Sequence, residues 1–89
     1  MTPEVRSQAS HRLKIIAGQV NALQKQIDED RYCVDVLDLS LSIQRALKSL
    51  DALVLEGHLR THVKEMMANG ELDTAVQELL RIYRVPEKS

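Results

Sequence analysis

The run RYCVDVLDLSLSIQRALKSLDALVLEGHLRTHVKEMM, Arg31 to Met67, contains no proline and a single glycine, Gly57. Leucine, valine, isoleucine and alanine recur through it at helical spacing, which predicts one very long helix over residues 31–67. At ~1.5 Å of rise per residue such a helix spans roughly 55 Å. The whole chain has 89 residues, near the size where a lone core is marginal and oligomerisation commonly helps. Phe and Trp are absent and only two Tyr occur, so any core is built from small aliphatic side chains. Two prolines and three glycines leave little room for a multi-turn β fold. The expected class is all-α.

Shorter helices flank the long one. Thr2-Pro3-Glu4 is a helix start, with Thr as N-cap, Pro at the first helical position and an acid in the first turn. Leu13, Ile16, Val20, Leu23 and Ile27 follow at alternating steps of three and four, the seam of a helix packed on another over about residues 3–28. Asp28-Glu29-Asp30 breaks that seam, predicts a tight turn and offers a cap for the next helix. Asn69-Gly70 ends the long helix. A third helix is predicted over 71–83, with Leu72, Val76, Leu79, Leu80 and Tyr83 on its apolar side. Val85-Pro86 closes it, and Glu87-Lys88-Ser89 is expected to fray. No linker or repeat divides the chain, so one domain over 1–89 is expected.

The long helix carries two apolar stripes, one of Val34, Leu37 and Leu41 and another of Val36, Leu39, Ile43, Leu47, Leu50 and Val54. One can pack on the first helix; the other needs a second copy of the chain, since an uncovered stripe is too large a patch for a soluble monomer. The potential metal ligands pose the same demand. Cys33 is the only cysteine. His58 and His62 lie one helical turn apart and share a face. A straight helix keeps Cys33 roughly 37 Å from His58. An antiparallel pairing centred between Ala46 and Leu47 sets Cys33 of one chain opposite residue 60 of the other, between the two histidines. A two-fold dimer thus builds two Cys-His-His sites. A thiolate and two imidazoles suit trigonal Cu(I), or tetrahedral Zn(II) with an added water. Ni(II) and Co(II) need further donors. Taken singly, Cys33 is a small buried hydrophobe and the histidines are surface residues; the dimer geometry links them.

Net charge is −1, but from Val5 to Lys25 there are four basic residues (Arg6, Arg12, Lys14 and Lys25) and no acid. Such a helix can present a positive stripe to nucleic acid, repeated by each subunit; the plainer alternative is a solvated helix face. His11 belongs to the same helix as a surface or DNA-facing residue. There is no Gly-rich phosphate loop, nucleophile elbow or enclosed carboxylate pair, so no enzyme is expected. Glu78 is the one acid of the third helix that can face inward. No apolar run is long enough for a membrane span, MTPEVRSQAS lacks the apolar core of a signal peptide, and a single cysteine fits a reducing cytoplasm.

HRLKIIAGQVNALQKQIDEDRYCVDVL, followed by the long helix to GHLRTHV, resembles the copper-sensitive operon repressor (CsoR) and nickel/cobalt repressor (RcnR) family over roughly residues 12–83. The resemblance implies a three-helix protomer, an antiparallel dimer and a disc-shaped homotetramer. It implies a protein that binds operator DNA when metal-free and releases it when metal binds between subunits. Cys33, His58 and His62 match the ligand positions, and Tyr32 and Glu78 match positions that link the ligand histidine to the fold. Arg12 matches a DNA-contact position, with Arg6, Lys14, Arg45 and Lys48 as neighbouring basic residues. Ile15, Asn21 and Ser49 stand where relatives carry basic side chains. His62 stands where copper sensors have a second cysteine, and no histidine lies near Met1, where nickel/cobalt relatives add one. The set favours Cu(I), with Zn(II), Ni(II) and Co(II) as alternatives. A thiol-reactive sensor of formaldehyde or another electrophile through Cys33, and a helical oligomerisation module without ligand, are the competing classes.

Overall fold

The computed structural model describes residues 1–83; Val85-Pro86 and the tail Glu87-Lys88-Ser89 lie outside them. The described chain is helical with short turns and no strand, in agreement with the all-α expectation. It falls into two compact units, Met1–Gly57 and the residues from His58 onward.

In the first unit, α1 spans Pro3–Asp28 and α2 spans Cys33–His58, of which His58 already belongs to the second unit. Thr2 caps α1 as its sequence requires: its hydroxyl accepts the Val5 amide at 3.2 Å, with Pro3 at the first helical position. The three acids form the turn, but they do not cap α2. Asp30 takes a left-handed φ of 53°, a conformation that aspartate tolerates better than most side chains. The Arg31 amide then closes on the Gln26 carbonyl at 2.9 Å. Arg31 and Tyr32 are thereby left outside the helix, which starts two residues later than expected. Tyr32 opens α2 through its carbonyl, which accepts from the Asp35 and Val36 amides at 3.0 and 3.2 Å.

Two contacts fix how the helices meet. Val5 lies against Gly57, and Arg12 donates to Ser49. Seven residues forward on α1 correspond to eight backward on α2, so the pair is antiparallel. The residues shielded on α1 are Val5, Ala9, Ile16, Gln19, Leu23 and Gln26, and on α2 they include Val36, Leu39, Ile43, Ala46, Leu50 and Gly57. Both series keep the three-four alternation of a helix–helix seam. Ile16 and Ile43 are the most buried members, at 4% and 6% exposure.

This seam differs from the one expected on α1. Ile16 and Leu23 face α2, but Leu13, Val20 and Ile27 do not and are exposed. Gln19 and Gln26 take the alternate positions, each with a buried side-chain oxygen lacking a partner among the described residues. On α2 the stripe of Val36, Leu39, Ile43, Leu50 and Val54 is the shielded one, with Ala46 in place of the more exposed Leu47. The other stripe, Val34, Leu37 and Leu41, is uncovered.

The second unit begins at His58 and continues with a π-helical turn, Leu59–Val63, then a short α segment, Lys64–Ala68. The helical run therefore reaches residue 68, one past the expected 67, but not as uninterrupted α-helix. Gly70, at φ 75°, makes the turn, where only glycine is unstrained. The third helix, α3, spans Leu72–Tyr83 and packs against Lys64–Ala68. Ala75 is its buried residue, at 2% exposure, and Leu79 is half-buried. Leu72, Val76, Leu80 and Tyr83 remain exposed.

Removing a buried isoleucine leaves a cavity in a thin seam. Ile43→Ala is expected to destabilise the protein by ~2–4 kcal/mol, measured by urea unfolding at fixed protein concentration. A loss under ~0.5 kcal/mol would show that the seam does not hold the unit.

Candidate metal centre and basic face

His58 is the last residue of α2 and His62 lies inside the π turn. Their spacing of four along a helical backbone puts both rings on one side, with centroids 5.3 Å apart and planes inclined at 34°. Single-turn π segments recur at functional sites, and this one surrounds the second histidine. The carboxylate of Glu78, projecting from α3, approaches His58: Glu78 Oε2 lies 4.0 Å from His58 Nε2. Both side chains are partly shielded, at 32% exposure for His58 and 41% for Glu78. An imidazole with its Nε2 turned to a carboxylate leaves Nδ1 as the donor for a metal, the arrangement by which an outer carboxylate orients a ligating histidine.

Cys33 is the first residue of α2 and its thiol is exposed. Tyr32, just before it, is 70% exposed. Both belong to the first unit, whereas the two histidines and Glu78 share the second. Among the described residues of one chain, no three His, Cys, Asp or Glu side chains gather into a cation cage.

The basic residues are carried by the helix pair. Arg6, Ser7, Ser10, His11 and Lys14, with Pro3, line a shallow open concavity along α1. Residues 6, 10 and 14 follow one another at single-turn steps, so two cations and a hydroxyl share one stripe. Arg12 is differently placed. Its guanidinium donates to the Ser49 hydroxyl at 3.0 Å and the Ser49 carbonyl at 3.4 Å. This bridge brings Lys48, adjacent to Ser49, and Arg45, one turn before it, to the part of α2 that faces Arg12. Ser49 counted in the sequence only as a lost cation; its bridging role depends on helix register, which no local pattern reveals.

The match to a family model described as metal-sensitive transcriptional repressor extends over residues 6–84. The chain belongs to that family. Among its relatives, the copper-sensing transcriptional repressor CsoR of Bacillus subtilis is 36% identical over 84 residues, covering 94% of this chain and 83% of that protein. The copper-sensing repressor CsoR of Mycobacterium tuberculosis is 29% identical over 72 residues, covering 81% of this chain but 60% of that protein. The crystal structure of a copper-sensing repressor CsoR with Cu(I) from Geobacillus thermodenitrificans superposes with a TM-score of 0.84 at 33% identity, covering 92% of this chain and 85% of that one. Membership of the metal-sensitive repressor family agrees with the motif HRLKIIAGQV…DRYCVDVL…GHLRTHV, and these relatives are named as repressors rather than enzymes. No helix among the described residues is long and apolar enough to cross a membrane.

Within a metal-sensitive repressor, Glu78 has a distinct expected signature. Glu78→Ala should leave metal stoichiometry intact while the metal-dependent change in DNA affinity falls by at least ~5-fold, within the usual ~1–3 kcal/mol of allosteric coupling. Parallel metal and DNA titrations check this; an unchanged ratio of DNA affinities with and without metal removes Glu78 from the response.

Proposed function

We propose that this protein is a copper-responsive repressor that holds operator DNA when metal-free and lets it go when Cu(I) is captured between two protomers. The observation that supports this most directly is the histidine pair with Glu78 at His58 Nε2, because it leaves two imidazole donors on one helix side. Cys33 of one protomer and the partner's His58 and His62 would hold the ion. The donor set fits: a thiolate and two imidazoles form a soft-to-borderline site suited to Cu(I), or to Zn(II) with a water. The copper-sensing relatives weigh toward Cu(I) over Zn(II), Ni(II) or Co(II).

The second protomer has a place to sit. Leu13, Val20 and Ile27 on α1, and Val34, Leu37 and Leu41 on α2, are exposed apolar series at helical spacing. Two such faces against solvent are poor for a lone chain and suitable for burial between copies. The proposed assembly is an antiparallel dimer that pairs further into a tetramer. Each copy brings its α1 stripe of Arg6 and Lys14 and its α2 cations Arg45 and Lys48. Arg12, held at Ser49, retains further N–H donors for a phosphate.

In the metal-free protein these cations grip phosphates and release counterions, so affinity falls steeply with salt. At the sensor site, a bound ion supplies only charge and directional bonds; the response belongs to the chain. With the ion bound, His58 would be held by it on one nitrogen and by Glu78 on the other, which would fix the histidine in one arrangement. If that arrangement is the poorer DNA binder, Cu(I) and DNA oppose each other reciprocally.

The test is a Cu(I) titration against a competing chelator while fluorescence anisotropy follows operator binding. Cys33→Ser should abolish copper-induced release, with X-ray absorption losing its sulfur neighbour. Release that persists in Cys33→Ser places the site elsewhere. Full response in a His58→Ala/His62→Ala double variant would instead favour electrophile sensing at the exposed Cys33 thiol. On the DNA side, Arg6→Ala and Lys14→Ala should each lower the slope of log affinity against log salt by about one for every phosphate that the removed side chain neutralises. Unchanged slopes move the DNA face off α1.

A further inference from the structure

Gly57 is buried, and the atoms nearest the place of its missing side chain are those of Val5. A Cβ at position 57 would stand 3.2 and 3.3 Å from the two γ-methyls of Val5 and 3.6 Å from its Cβ. The first two distances fall short of the ~3.5–4.0 Å of a relaxed carbon contact. The first turn of α1 therefore rests on bare α2 backbone, with the valine methyls crowding the place a side chain at 57 would take. Both partners have consequential neighbours. Val5 precedes Arg6, the first cation of the basic stripe. Gly57 precedes His58, the first histidine of the candidate metal centre.

We propose that the Val5–Gly57 seat is the mechanical link between the sensing histidine and the N-terminal part of the DNA-facing stripe. The proposal rests on the metal and DNA assignments of the preceding subsection. A helix transmits a rotation or shift at His58 to Gly57 through one peptide unit, because its hydrogen-bonded backbone does not absorb it locally. At most interhelical contacts a side chain on each helix can change rotamer and dissipate sub-ångström motion. Here one side has no side chain, and the other is a β-branched residue with one preferred rotamer in a helix. The contact therefore has little slack, and close-packed contacts pass displacement on rather than compress. Motion of α2 at His58 becomes motion of Val5, and with it Arg6. Val5 and Gly57 are positioning residues: neither needs to touch metal or DNA.

Three variants of the full-length protein test the seat, using Cu(I) with a competing chelator and an operator duplex. Gly57→Ala inserts a methyl 3.2 Å from Val5, so α1 and α2 must part there by a few tenths of an ångström. Its metal-free DNA affinity should fall several-fold, and the ratio of DNA affinities without and with Cu(I) should shrink to within ~2-fold of unity. Val5→Ala removes two methyls and should shrink that ratio as well by loosening the seat. The double variant Val5→Ala/Gly57→Ala restores complementarity and should recover most of the wild-type ratio. A glycine needed only for stability would not give back coupling when a second buried group is removed. Wild-type coupling in folded Gly57→Ala overturns the seat; should that variant fail to fold, wild-type coupling in Val5→Ala does so. A double variant that is folded yet still uncoupled overturns it too. Wild-type protein that binds DNA equally with and without Cu(I) overturns the underlying repressor assignment and the seat together, so the two failures are told apart by the wild-type control.

Discussion

The antiparallel seam between α1 and α2 is the constraint on which everything else in the first unit depends. It selects which stripe of each helix is spent within the chain, and so which stripes stay exposed. It brings Arg12 to Ser49, and hence near Lys48 and Arg45, although these residues are distant in the chain. It also seats Val5 on Gly57. The seam is thin: Ile16 and Ile43 are its most buried residues, and Gln19 and Gln26 occupy positions where aliphatic side chains would bury more apolar surface. A thin seam with two polar interruptions is less a store of stability than a device for register. A slip by one turn would part both Arg12 from Ser49 and Val5 from Gly57.

How far the fold could be anticipated follows from which features are local. Thr2-Pro3 capping, the turn at Asp28-Glu29-Asp30 and the glycine turn at residue 70 rest on near neighbours in the chain, and all were legible. The choice of seam on α1 was legible only in part. Leu13, Ile16, Val20, Leu23 and Ile27 fit helical spacing as a set, yet they spread over two adjacent stripes. Only the position of α2 decides that Ile16 and Leu23 turn inward while Leu13, Val20 and Ile27 stay out. The π turn at Leu59–Val63 had no spacing signal, because a slightly wider turn keeps His58 and His62 on a common side just as an α turn does.

The candidate site divides along the same line. His58 and His62 were recognisable as a pair because helical geometry fixes their relation. Glu78 was recognisable as an acid on an apolar helix, and its approach to His58 at 4.0 Å gives that acid a partner. Ser49 and Gly57 were not recognisable. A serine in place of a cation reads as a loss, and a lone glycine in a helix reads as a weakness of ~1 kcal/mol, until the opposing helix shows what each accommodates. Both gain their meaning from α1 side chains far away in the sequence.

The separation of Cys33 from the histidine pair bears directly on the copper site proposed above. Cys33 opens α2 in one unit, and the histidines open the other, with most of a long helix between them. A site assembled from residues of one chain could fill without altering how protomers meet. One assembled from a thiol of one protomer and imidazoles of its partner cannot fill without bearing on their mutual arrangement. For the proposed repressor, whose basic stripes would meet phosphates along DNA, that arrangement is the property to control. In the proposed dimer the uncovered apolar stripes and the separation of Cys33 from the histidine pair would be answered together, by the arrival of a second copy.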